Sequence, residues 1–238
     1  MGCSEDKNRI SFEETELRSN IKALGFHRHE SEVLDMSFRK YSQGDTISPR
    51  QLSFILRQLR LPGPEGGNLA VAKFYNSLKV DKGYQRRSLI VVCVLLGQAE
   101  ENVKADLLFE AFDDDASRLL ELAEFETLWE VLEALTLTHL PAMLQVPSQT
   151  VQAYLKRLPN GVQEAKDMIK AELFRGGESI DMLRFRYMVT HSKLRPLLDP
   201  SELRTMIADY NVEIKVKTPI HLGKSMRAAK QLKESNKI

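Results

Sequence analysis

Asp113-Asp114-Asp115-Ala116-Ser117-Arg118-Leu119-Leu120-Glu121-Leu122-Ala123-Glu124-Phe125 is the stretch that decides the fold. Counted from Asp113, side-chain oxygens fall at positions 1, 3, 5, 9 and 12, and a backbone carbonyl falls at position 7. This is the ligand spacing of the twelve-residue calcium loop that joins two helices. Calcium is a hard cation that takes six to eight oxygens at about 2.3–2.6 Å. Asp113, Asp115 and Ser117 each offer one oxygen, and Leu119 offers its carbonyl. Glu121 would act directly or through water, and Glu124 would close the site with both carboxylate oxygens. Leu120, at position 8, is placed to pair with a second loop. One position departs from the pattern: position 6 wants glycine for a sharp turn, and the chain has Arg118. A non-glycine residue in a left-handed turn costs ~1 kcal/mol, and the guanidinium adds positive charge beside the cation.

Three weaker echoes of the same frame lie elsewhere. Phe38 to Tyr41 precede a segment in which Ile47 takes the pairing position, Leu52 follows the loop and Gln51 replaces the closing glutamate. That segment, which includes Ser42 and Gln43, is two residues short. Around Asp81-Lys82-Gly83-Tyr84, with Tyr84 at position 8, the first and closing positions are Ser77 and Ser88, too few carboxylates for a metal. Around Gly176 to Phe185, Ile180 keeps the frame, but Arg184 occupies the closing position and would repel a cation.

On these residues the chain resembles the EF-hand superfamily. From about residue 30 to residue 200 its layout is similar to that of calcineurin B-like and neuronal-calcium-sensor proteins. The resemblance implies an all-α fold of four EF-hand-like helix–loop–helix units in two lobes, with loops one and two paired and loops three and four paired. At most one Ca2+ site is expected, at Asp113–Glu124.

The remaining pattern is consistent with helices throughout. Leu17, Ile21 and Leu24 form one stripe before Gly25; Val33, Met36 and Phe38 suggest a second. Ser48-Pro49 reads as a helix start, followed by the apolar face Leu52, Ile55, Leu56 and Leu59. The run Pro62 to Gly67 is a loop. Helices are expected at Leu69–Leu78, Arg87–Leu96, Asn102–Phe112, Leu122–Leu135, Thr150–Leu158, Val162–Phe174, Met182–Leu194 and Ser201–Tyr210. Leu89–Leu96 has the composition of a buried strand as well, but its polar flanks favour a buried helix. Val212 to Lys217 alternates with period two, which suggests a short strand or an extended docking segment. The expected organisation is an N-terminal segment with the first helix at 1–28, a lobe with degenerate loops at 29–98, a lobe with the cation loop at 99–210 and a basic tail at 211–238.

Charge and composition bound the function. The chain has 238 residues, 42% hydrophobic and 28% charged, with net charge +1. Enough apolar side chains are present for a core, and balanced charge argues against a nucleic-acid binder. The charge is uneven: from Glu213 onward, seven Lys/Arg against two acids give +5, so the preceding 212 residues, with 27 bases and 31 acids, carry −4. Such a tail suits an anionic membrane surface, an acidic protein or the body itself. Gly2, exposed on removal of Met1, is a myristoylation candidate, and Cys3 a palmitoylation candidate, although Asp6 stands where that motif wants Ser or Thr. The apolar run Leu89–Leu96 is far short of the ~20 residues that span a bilayer.

No Gly-rich phosphate loop is present, the five histidines show no metal spacing, and Cys93 sits in an apolar helix. Catalysis therefore has no support in the sequence. Leu128, Trp129 and Leu132 line the helix leaving the cation loop, either as core or as a groove for an amphipathic partner helix. The sequence points to a non-enzymatic calcium-binding adaptor that binds a protein partner, cytoplasmic, with a membrane anchor at Gly2 and Cys3. The alternatives are a calcium-independent structural subunit of a ciliary, axonemal or membrane assembly, and a regulatory subunit of a phosphatase or kinase.

Overall fold

A computed structural model describes residues 11–41 and 44–211. Gly2 and Cys3, Ser42 and Gln43 of the first echo, the alternating segment after Asn211 and the basic tail lie outside the described residues.

The architecture is predominantly helical. In chain order it runs α1 Phe12–Ile21, α2 Ser31–Lys40, β1 Thr46–Ile47, α3 Pro49–Gln58, α4 Leu69–Ser77, β2 Lys79–Val80, β3 Gly83–Gln85, α5 Arg86–Leu96, α6 Glu101–Glu110, β4 Leu119–Glu121, α7 Leu122–Ala134, α8 Gln149–Arg157, α9 Val162–Phe174, β5 Ser179–Asp181 and α10 Met182–His191. A last helix, α11, covers 200–211. A π-helical turn, Leu135–His139, extends α7 into a 3-10 turn at Pro141–Met143.

Local chemistry explains the helix starts. Ser48 accepts the Gln51 amide, and the Gln51 side chain accepts the Ser48 amide at 2.9 Å, a reciprocal box with Pro49 at the first helical position. Asn68 Oδ1 accepts the amides of Ala70 and Val71 to open α4.

Two small antiparallel sheets tie the helices together. One has strand order β1-β3-β2 and pairs Ile47 with Tyr84; the other joins β4 to β5 and pairs Leu120 with Ile180. These four residues hold position 8 in the sequence frame. Gly83 makes the first pairing feasible, because a Cβ there would sit 2.3 Å from the Ile47 carbonyl oxygen.

The buried apolar side chains form one continuous cluster from Leu17 to Ile207. At its centre lies α5, in which Ser88 to Leu95 are all buried, packed against α2, α6 and α7. A helix enclosed on all sides has no polar stripe, which is why its sequence resembled a strand.

Several sequence readings need correction. On α2 the buried face is Ser31, Leu34, Asp35 and Phe38, whereas Val33 and Met36 point to solvent. The face turns this way because Ser31 Oγ donates to the Val94 carbonyl at 3.1 Å, beneath Gly97, where any Cβ would clash. The second echo is a β2–β3 hairpin, not a twelve-residue loop. Ser77 ends α4 with its hydroxyl on the Phe74 carbonyl, and Ser88 is buried inside α5. Around the fourth echo α9 ends at Phe174, as expected, and β5 follows with Ile180 in the pairing position.

Candidate metal centre

The cation loop is suspended between two buried phenylalanines. Phe112 follows α6 and Phe125 lies in the first turn of α7, where it meets Phe174 edge-on at 5.5 Å. The Asp113 amide donates to the Phe109 carbonyl at 3.0 Å, which fixes where the loop leaves α6. From α5, the Arg87 guanidinium lies 5.1 Å from the Phe112 ring centre and bonds Asp114 at 2.5 Å.

Within the loop, one carboxylate oxygen each from Asp113, Asp115 and Glu124 lie within 4.8 Å of one another. The backbone is wound to achieve this: Ala116 and Arg118 both take left-handed conformations, with φ 56 and φ 64. The Arg118 amide then donates to Asp113 Oδ2 at 3.1 Å, and the Ser117 amide to Asp115 Oδ1 at 3.0 Å. Ser117 Oγ donates between the Leu119 carbonyl, 3.1 Å away, and Asp113 Oδ1 at 3.4 Å. The hydrogen bonds from Ser117 hold the Asp115 carboxyl below its ordinary range. Hydrogen bonds thus bring Asp113, Asp115, Ser117 and the Leu119 carbonyl close together within the loop.

Glu124 connects this cluster to α7. Its two carboxylate oxygens accept the amides of Asp114 and Glu121, each at 2.9 Å. Glu121 does not join the converging carboxylates. Its side chain accepts the Glu124 amide as the N-cap of α7, where an acidic group also meets the positive end of the helix dipole. The donor set is thus oxygen throughout: three carboxylates, a hydroxyl and a carbonyl. Such a set suits a hard divalent cation and disfavours soft metals that prefer sulfur.

Leu128, Trp129 and Leu132 are buried in the core beneath α7, which packs against α5 and α9. Trp129 Nε1 donates to Glu133 Oε2 at 3.0 Å. Among the described residues no helix is long and apolar enough to cross a membrane.

Sequence reasoning missed a second polar centre. Glu14 of α1 and Arg204 of α11 form a buried bidentate pair, with both nitrogen–oxygen distances 2.7 Å. Tyr154 of α8 donates its hydroxyl to Glu14 at 2.8 Å. Burial, with Glu14 beside it, pushes the Tyr154 hydroxyl well above its ordinary range. Residues 190 positions apart leave no local signal; only the presence of glutamate on the inward face of α1 hinted at a partner.

No protein-family model matches the chain, and no curated protein or solved structure matches it either.

Proposed function

We propose that the chain is a non-enzymatic, calcium-responsive adaptor built on EF-hand-like units, which passes a change at the Asp113–Glu124 loop to a protein partner through α7. The observation that carries this reading is the convergence of Asp113, Asp115 and Glu124 around a turn that Arg118 holds in a left-handed conformation. Asp113, Asp115, Ser117, the Leu119 carbonyl and Glu124 would hold the ion, with Glu121 capping α7. Bound calcium supplies charge neutralisation to the three carboxylates. The chain's own residues do the rest: backbone amides orient Asp113 and Asp115, and Glu124 links the loop to the helix that carries Trp129.

Trp129 is the only tryptophan in the chain and is buried on α7, so its fluorescence reports on that helix. Calcium should alter its emission in the native protein and leave Glu124→Gln unaffected. Identical emission with and without about 1 mM calcium, well above the sensor range, counts against the proposal. Membrane attachment rests on Gly2 and Cys3; its mark is a myristoyl mass increment on the cellular protein that Gly2→Ala removes.

One observation favours a second reading, a calcium-independent structural subunit. Both oxygens of Glu124 and one of Asp113 are already satisfied by loop amides, so the loop keeps its shape with its own hydrogen bonds. On this reading a chelator leaves partner binding unchanged.

A further inference from the structure

Helix α1 is held to the body by polar atoms more than by apolar area. Of its ten residues only Glu14 and Leu17 are buried. Arg204 and Glu14 are sealed from solvent, with side-chain exposures of 0% and 2%. Arg204 also donates to the Thr136 carbonyl and to Ser201, both at 3.2 Å. On the same helix Arg18 donates to Ser201 Oγ at 2.9 Å, and Glu16 accepts from the Ser148 hydroxyl at 2.9 Å. Among the described residues, the only carboxylate bonded to Arg204 therefore comes from α1. Removing it would leave a buried, uncompensated charge, which is far more costly than losing a surface pair.

We propose that the face built by α8, α11 and the turn Leu135–His139 is a binding surface for an acidic helix of a partner protein that presents Glu and Leu three residues apart. Helix α1 is its intramolecular occupant and exchanges with that helix. Arg204 dictates the chemistry: an occupant without a carboxylate would bury a bare guanidinium, so a purely apolar helix is rejected. Glu14 and Leu17 display the required pattern. With so little apolar burial, α1 belongs to the class of elements that open below global unfolding. Leu24 and Phe26 are buried on either side of Gly25, φ 78, so the chain beyond this turn keeps its own anchors in the core when α1 swings away and exposes Leu17. This inference does not depend on calcium.

The test uses the full chain and a fluorescently labelled peptide with the sequence of residues 11–24. Glu14→Gln in the chain removes the charge that holds α1 in place. The peptide should bind that variant at least about tenfold more tightly than it binds the native chain. Replacing the peptide's own Glu14 with Gln should cost at least about tenfold, and Arg204→Met in the chain should erase that dependence. Binding that ignores the peptide's glutamate overturns the proposal, as does no binding to a folded Glu14→Gln chain at about 100 μM. Dimerisation of that variant without peptide binding would assign the face to a second copy and also overturn it. Should Glu14→Gln fail to fold, hydrogen exchange on the native chain decides. Amides of α1 should exchange by local opening, ahead of those in α5; exchange of α1 only on global unfolding overturns the proposal.

Discussion

Arg118 donates its backbone amide to Oδ2 of Asp113 at 3.1 Å, from a left-handed backbone that glycine adopts freely and arginine does not. Relieving that strain stabilises every state that keeps the turn, with or without an ion. Affinity for calcium responds instead to the guanidinium charge. Arg118→Gly should therefore raise calcium affinity about two- to fivefold, and Arg118→Lys should leave it unchanged. Stability should shift by less than about 1 kcal/mol, because glycine also loosens the unfolded chain. Titration calorimetry reads the first effect and urea unfolding the second; weaker binding by the glycine variant would contradict the account.

Gly83 faces the Ile47 carbonyl across the β1–β3 pairing, and an added Cβ meets backbone, which cannot rotate aside. Gly83→Ala should destabilise the fold by about 1–3 kcal/mol. The urea midpoint should fall with little change in slope. A midpoint equal to that of the native protein would mean that the pairing is not as close as described.

His139 lies buried on the π-helical turn, with Nδ1 3.0 Å from Ser77 Oγ, and burial lowers its pKa below 6.5. As pH falls, the unfolded chain binds the proton first, so this contribution to stability is complete above 6.5 and declines as pH drops toward the folded pKa. Unfolding free energy should therefore decrease between about pH 7.5 and about pH 5.5. His139→Gln should flatten that part of the profile, whatever it does to absolute stability. An unchanged slope would show that His139 titrates normally in the fold.

Cys93 sits at the centre of α5, and burial, with Asp35 nearby, pushes its thiol well above the ordinary range. In a Cys3→Ser chain, a thiol reagent should label Cys93 only as fast as the core opens. Rapid labelling of Cys93 in the folded Cys3→Ser chain would contradict the packing of α5.

Much of this organisation was legible. The Ser48-Pro49 start, the bounds of α9 and the position-8 residues Ile47, Tyr84, Leu120 and Ile180 all follow from short-range rules of capping, period and frame. Three of the candidate ligand positions, Asp113, Asp115 and Glu124, converge, and Ser117 bonds both Asp113 and the Leu119 carbonyl; Glu121 is diverted because a helix start needs a cap. The failures came from tertiary context. The inward face of α2 was misread because Ser31, a polar residue, is the one that fits beneath Gly97. The Glu14–Arg204 pair joins the two ends of the described chain, where no periodicity could connect them.

The central claim is that Asp113, Asp115 and Glu124 form a calcium site, and calorimetric titration of the full chain with calcium in the presence of magnesium tests it most directly. The account predicts one site of about micromolar affinity or tighter, within the sensor range, abolished in a folded Glu124→Gln variant. No heat at millimolar calcium, or a site that survives Glu124→Gln, would contradict it.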